Sequence, residues 1–169
     1  MVLNLTNVIS GKLSQMPFEM TLTLDLSDFE VFGAEGVSPF QVKGMVERRG
    51  VELEIDVHYS GTFNFSCNRC LNPVELKFER DLTKQIIRQG GEFIEEDEQS
   101  LFIEDYNVDI ERLVVDEIHL SMPIQVLCDP SCKGICPNCG KSLNEDECTC
   151  SEDRVDPRLE SLKNFFSQN

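Results

Sequence analysis

Apolar and polar side chains alternate through much of the first half of the chain. In EMTLTLDLS (residues 19–27), Met20, Leu22, Leu24 and Leu26 alternate with Thr21, Thr23 and Asp25. This is the period of two that a strand with one buried face requires. VELEIDVHYSGTFNFSC (51–67) repeats the pattern at greater length: Val51, Leu53, Ile55, Val57, Tyr59, Phe63 and Phe65 share one parity, and Glu52, Glu54, Asp56 and His58 take the other. Gly61 interrupts the apolar set and reads as a bulge or bend. VELKFER (74–80) returns with Val74, Leu76 and Phe78 facing one way, so the two segments predict an antiparallel hairpin whose tip is CNRCLNP (67–73). PFQVKGMVERR (39–49) predicts an earlier strand, and no internal repeat is visible.

The period changes in the second half. RQGGEFIEEDEQS (88–100) runs from a glycine pair into a cluster of acidic residues and reads as a boundary, either a solvated loop or an acidic docking segment. In VDIERLVVDEIHLSMP (108–123), Ile110, Leu113, Val114, Ile118 and Met122 follow helical spacing, with Asp109 as N-cap and Pro123 bounding the far end. DPRLESLKNFF (156–166) predicts a short terminal helix capped by Asp156, with Pro157 in its first turn and Leu159, Leu162 and Phe165 or Phe166 facing the core. The fold class expected is α+β: an antiparallel sheet or partly open barrel in the N-terminal half, and short helices with a zinc-bound cysteine-rich tail in the C-terminal half. Residues 1–90 form the β-rich region, 91–106 an acidic connection, and 107–169 the helix, tail and terminal helix, packed as one domain with the front half.

Composition narrows the class of function. At 169 residues, 40% hydrophobic and 27% charged, the chain has the makings of one folded core. No run approaches the roughly 18 apolar residues of a membrane helix, and the first residues lack a basic flank, so a cytoplasmic protein with no membrane partner is expected. The net charge of −16 is uneven: residues 1–90 carry 9 Lys+Arg against 12 Asp+Glu, whereas 91–169 carry 6 against 19. Phosphates are repelled by so negative a second half, which disfavours unassisted binding of bare nucleic acid.

Eight cysteines remain to be read. In a reducing cytosol, paired spacings point to metal or redox chemistry before disulfides. Cys67 and Cys70 form C-x2-C at the hairpin tip, where a tight turn aims two sulfurs at one point. Cys136 and Cys139 repeat the spacing in CPNCG, and Cys148 and Cys150 follow after the excursion GKSLNEDE. Zinc takes four ligands tetrahedrally, so Cys136, Cys139, Cys148 and Cys150 make a local set, leaving Cys67 and Cys70 to join Cys128 and Cys132. A second partition stays open, in which Cys132 serves the local set and the hairpin pair is metal-free or a redox couple. One or two zinc ions are therefore expected.

Other chemistry is thin. His58 on a polar strand face and His119 in an acidic helix have no recognisable catalytic partner, and Glu52, Glu54 and Asp56 read as a solvated face. There is no phosphate-binding glycine loop and no nucleophile elbow. An all-thiolate zinc site keeps no open coordination position for water. No enzymatic activity and no small-molecule substrate are expected.

FSCNRCLNPVEL, the helix ending VVDEIHLSMPIQVLC, the tail CKGICPNCGKSLNEDECTC and the closing DPRLESLKNF resemble, in that order, the YceD family of large ribosomal RNA subunit accumulation proteins. Cys67, Arg69, Cys70, Leu71 and Pro73 match one signature; Cys132, Lys133, Gly134, Cys136, Pro137, Cys139, Gly140, Leu143 and Asn144 match the other. The resemblance implies a non-catalytic factor in large ribosomal subunit biogenesis, with large-subunit ribosomal RNA or a basic ribosomal protein as partner. Lys43, Arg48, Arg49, Arg69, Arg80, Lys84 and Arg88 are the candidate contacts to RNA, and the acidic back half is the candidate surface for a basic protein. A redox-regulated zinc-thiolate chaperone and a small zinc-containing regulator are the alternatives.

Overall fold

The computed structural model describes residues 1–50, 52–88, 100–103, 106–145 and 148–150. Along the chain lie β1 (Val2–Asn4), α1 (Thr6–Ile9), β2 (Gln15–Leu22), β3 (Ala34–Val37), β4 (Phe40–Arg49), β5 (Glu52–Ser66), β6 (Pro73–Arg88), β7 (Ser100–Ile103), β8 (Asn107–Asp109) and α2 (Ile110–Ser121). The described residues are thus mostly β with few helices, which corrects the balance implied by the α+β expectation. The expected terminal helix at 156–166 and most of the acidic connection lie outside the described residues.

Six strands form the main sheet in the order β2-β4-β5-β6-β7, with β3 also on β5. The β5–β6 hairpin is its spine, paired in unbroken antiparallel register from Leu53↔Ile86 to Ser66↔Pro73. The expected parity holds along β5: Ile55, Val57, Tyr59, Phe63 and Phe65 are buried. β6 runs eight residues past the expected end at Arg80, because Leu82 and Ile86 continue the parity of Phe78 and Ile86 is again buried. β7 then adds in parallel to β6, Gln85↔Ser100 to Arg88↔Ile103. β2 ends at Leu22, short of the expected Ser27, because the Asp25 carboxylate accepts from Ser27 N–H and turns the chain into a 3-10 segment at Leu26–Asp28. A separate two-stranded ribbon pairs β1 with β8, Val2↔Asp109 to Asn4↔Asn107.

Gly61 is not a bulge. It stays in register with Phe78, and the reason for glycine is the neighbouring strand: an added Cβ would lie 2.3 Å from the Phe40 ring. The ring lies over the bare backbone and belongs to an aromatic cluster in which Phe63 meets Phe29, Phe40, Phe65 and Phe78 at centroid distances of 5.1 to 6.0 Å. Gly61→Ala should therefore lower unfolding free energy by about 1–3 kcal/mol, the usual cost of overpacking a core. Chemical denaturation of the full chain measures it, and an unchanged midpoint would exclude the ring contact as the reason for glycine.

α2 closes the open face. The Asp109 carboxylate accepts from Glu111 and Arg112 N–H groups, as its position predicts for an N-cap, and Ile110, Leu113, Val114 and Ile118 are buried against the sheet. Lys84 of β6 reaches Glu117 of α2 at 2.6 Å, with both side chains largely covered. Helix and hairpin are thereby fixed to each other, and the chain leaving α2 arrives beside the hairpin tip. There Asn68 N–H donates to Val126 O (2.9 Å) and Val126 N–H to Asn68 Oδ1 (2.8 Å).

Candidate metal centres

The hairpin tip turns tightly because its backbone bonds to itself. Cys67 N–H donates to Asn72 O (2.8 Å) and Leu71 N–H to Cys67 O (3.0 Å), which directs the Cys67 and Cys70 side chains to one side. Closing this turn requires a left-handed residue after the second cysteine, and Leu71 takes it at φ 63°. A non-glycine residue there is strained by roughly 1–2 kcal/mol. The corresponding position after Cys139 is Gly140, φ 73°, which carries no such cost. There Cys136 N–H donates to Lys141 O and Gly140 N–H to Cys136 O, both at 2.8 Å.

The eight sulfurs fall into two groups, Cys67, Cys70, Cys128 and Cys132, and Cys136, Cys139, Cys148 and Cys150, each with its sulfurs within 4.8 Å of one another. Cys67 Sγ lies 3.9 Å from Cys132 Sγ, and Cys70 Sγ lies 3.4 Å from Cys128 Sγ. In the second group Cys148 Sγ is 3.4 Å from Cys136 Sγ and 3.5 Å from Cys139 Sγ. A disulfide needs about 2.05 Å. A tetrahedron of sulfurs at about 2.3 Å from a central ion has edges of about 3.8 Å, so both groups can hold a metal ion.

Backbone N–H groups complete the surroundings of a thiolate. Arg69 N–H donates to Cys67 Sγ, Asn138 N–H to Cys136 Sγ, and Cys150 N–H to Cys148 Sγ, at 3.3 to 3.4 Å. Asn144 Nδ2 donates to Cys132 Sγ at 3.3 Å. The consequences differ by residue. Burial pushes Cys67 up, but the N–H groups of Cys128, Cys70 and Arg69 outweigh it and hold the thiol at about 6. The Asn144 carboxamide lowers Cys132 against its burial. The Asn72 N–H pulls Cys70 down, yet burial and the sulfurs of Cys67 and Cys132 leave it raised. Cys128 is pushed up to about 12 by its contact with Cys70 and by burial. In the second group the Cys139 and Asn138 N–H groups hold Cys136 at about 7, while the sulfurs of Cys148 and Cys139 push Cys150 up to about 12. Four close thiols resist ionising together, so a divalent cation is the natural counter-charge.

The basic residues do not gather. Lys43 and Arg49 lie on the outer sheet face, where Lys43 meets Glu19 at 3.1 Å and Arg49 meets Glu47 and Glu54 at 2.9 Å. On the opposite parity, Arg48 donates to Gly50 O and Ile9 O, Arg80 lies 5.5 Å from the Phe78 ring centroid, and Lys84 pairs with Glu117. Arg69 donates to Cys132 O at 2.8 Å. The Arg88 side chain is outside the described residues. His58 meets Asp81 at 2.8 Å on an exposed face, and His119 stacks on Phe29 at 4.6 Å. The roles of Asn144, Asn68 and Leu71 were not read from the sequence; Leu71 and Asn144 stood there only as matches to the family signatures, and Asn68 only as a residue within the C-x2-C tip.

The profile of the family described as Large ribosomal RNA subunit accumulation protein YceD matches residues 55–166. The chain belongs to the YceD family. It is 30% identical to YlbN of Bacillus subtilis (strain 168) over 167 residues, 94% of this chain and 95% of that protein. It is 27% identical over 164 residues to the maize protein named Large ribosomal RNA subunit accumulation protein YCED homolog 1, chloroplastic, covering 79% of this chain and 56% of the maize protein. The Arabidopsis thaliana protein of the same name is 36% identical over 61 residues, 36% of this chain and 19% of that protein. No solved structure matches. The YceD family is thus named for the accumulation of a ribosomal RNA and not for a reaction. Among the described residues no helix is long and apolar enough to cross a membrane.

Proposed function

We propose that this YceD protein is a non-catalytic zinc-binding factor that supports accumulation of the large-subunit ribosomal RNA, with one zinc ion on each four-cysteine group. The observation that carries the reading is the pair of closed all-thiolate groups in a chain of this family. Sulfur-only donors at tetrahedral spacing suit zinc, and four protein ligands leave no position for a reactive water. In the first group Cys67, Cys70, Cys128 and Cys132 would join the hairpin tip to the segment after α2; in the second, Cys136, Cys139, Cys148 and Cys150 would order the tail. The metal's contribution is architectural.

A basic ribosomal protein suits this chain as direct partner better than bare RNA. The net charge is −16, and the described basic side chains among the RNA candidates already meet carboxylates, carbonyls or a ring. Elemental analysis of metal-replete protein should find close to two zinc per chain; less than about half an equivalent would rule zinc out. In-cell crosslinking followed by identification of the adduct should recover a basic protein of the large subunit or its precursor. Neutralising Glu95, Glu96 and Glu98 should weaken that association, while Lys43→Gln with Arg49→Gln should change it little. Binding to naked RNA that survives the glutamate changes, vanishes with the basic pair and falls with salt at roughly 0.7–0.9 log units per phosphate contact would instead assign RNA.

A further inference from the structure

One side chain spans the two cysteine groups. Asn144 lies in the loop between Cys139 and Cys148, so the second group's ligands fix both ends of the segment that carries it. Its carboxamide nevertheless serves the first group. Asn144 Oδ1 accepts from Lys133 N–H at 2.8 Å, and Asn144 Nδ2 donates to Cys132 Sγ at 3.3 Å. A backbone N–H can only donate, so the carboxamide oxygen must face Lys133 and its NH2 must face the sulfur.

The path between the groups is short and rigid. Leu143 N–H donates to Gly134 O at 2.9 Å, Ile135 and Ser142 form an antiparallel bridge, and Cys136 N–H donates to Lys141 O. A miniature hairpin thus starts beside Cys132, turns at the second knuckle and brings Asn144 back to Cys132. It sits against the first knuckle, since a Cβ on Gly134 would meet Arg69 O at 3.1 Å. With Cys139 and Cys148 tied to one centre, the loop has already lost the conformational freedom that placing Asn144 would otherwise cost.

We propose that the two four-cysteine sites bind metal cooperatively, with Asn144 as the positioning residue that couples them. The inference rests on the metal-binding reading above and goes beyond it, because two sites could fill independently. An N–H donor to a ligating thiolate stabilises its charge, and removing such a partner typically lowers metal affinity about 10- to 100-fold. Linkage makes the effect mutual, so occupancy of the first site strengthens the second by the same factor.

The test uses the full-length chain, stripped of metal under reducing conditions and titrated with Co2+ against a chelator. The cobalt–thiolate charge-transfer and d–d bands report tetrahedral sulfur coordination and occupancy. Removing the second site with Cys148→Ser and Cys150→Ser should weaken Co2+ binding at Cys67, Cys70, Cys128 and Cys132 about 10-fold. Asn144→Ala should weaken the same site by a similar factor, and combining all three substitutions should weaken it no further. Asn144→Ser, whose hydroxyl is too short to reach the sulfur, should match Asn144→Ala, and amide exchange in β5 and β6 checks that the sheet stays folded in each variant. Losses that multiply to about 100-fold in the combined variant, or a first site indifferent to either change, would overturn the coupling while leaving two metal sites standing. Absence of the charge-transfer bands in the unaltered protein would overturn the metal reading itself.

Discussion

Cys70→Ser should loosen the whole C-terminal segment from the sheet, whereas Cys136→Ser should loosen chiefly the tail. The difference follows from what each group encloses. Cys70 and Cys128 are 58 positions apart and bracket β6, β7, β8 and α2. Closing a loop of that length restricts the unfolded chain by about 4 kcal/mol, if a metal clip acts as a covalent cross-link does. Cys136, Cys139 and Cys148 are 12 or fewer positions apart, worth about 2.5–3 kcal/mol by the same relation, and that stabilisation is confined to the tail. In metal-loaded Cys70→Ser, amides from Met122 to Ile135 and those at 67–73 should exchange at least 100-fold faster, and the thermal midpoint of the sheet should fall. In Cys136→Ser, faster exchange should be concentrated in the tail, and the sheet midpoint should fall much less than in Cys70→Ser. Equal, strictly local effects of the two substitutions would mean that the hairpin pair and the segment after α2 share no metal.

Acid should empty the two sites in order, the second before the first. Protons compete with metal for each thiolate, so every thiol that is protonated in the metal-free protein must give up its proton on binding, and affinity falls as pH falls. At pH 7.5 Cys67, held at about 6, is already largely a thiolate, and Asn144 lowers Cys132 toward the same state. Cys70 and Cys128, both raised, are thiols. Loading the first site therefore releases at least the two protons of Cys70 and Cys128, and its affinity should drop by at least about 100-fold per pH unit near neutrality. At the second site Cys136 is held at about 7, with Cys148 and Cys150 both raised. Cys136 protonates about one pH unit earlier than Cys67, so the second site should discharge first. Zinc release into a chromophoric chelator, followed from pH 8 to 5 in the full chain and in Cys148→Ser with Cys150→Ser, measures both sites. A first site that empties before the second would contradict this ordering.

The elements legible in the sequence were those decided by local pattern. The parity of Ile55, Val57, Tyr59, Phe63 and Phe65 is a property of one strand, and the Asp109 cap is a property of one turn. For the sulfurs, the C-x2-C and C-x-C spacings left two partitions open, and the four-and-four grouping becomes visible only when the fold brings Cys67 and Cys70 to Cys128 and Cys132. What was missed depends on neighbours distant along the chain. Gly61 read as a bend until Phe40 came to lie across it. The continuation of β6 past Arg80 was hidden by Asp81 and Lys84; Lys84 is tolerated on the inner parity because Glu117 of α2 meets it. The basic residues named for RNA showed nothing in sequence of the carboxylates and carbonyls that hold them. Asn144 stood only as a match to the family signature, and its sulfur partner lies 12 positions back.

The spacing of the first group also sets a timetable for the newborn chain. The β5–β6 hairpin is local and can form as soon as its strands have emerged, with Cys67 and Cys70 at its tip. The last of their partners, Cys132, is 62 positions later in the sequence than Cys70. At roughly 5–20 residues per second of synthesis, that is a wait of about 3–12 s during which the hairpin presents an uncommitted dithiol. The second group needs only the 14 positions from Cys136 to Cys150 and waits about 1–3 s. The cysteines made first are thus exposed to oxidants and competing metals for the longest time, and a stalled ribosome would leave them waiting.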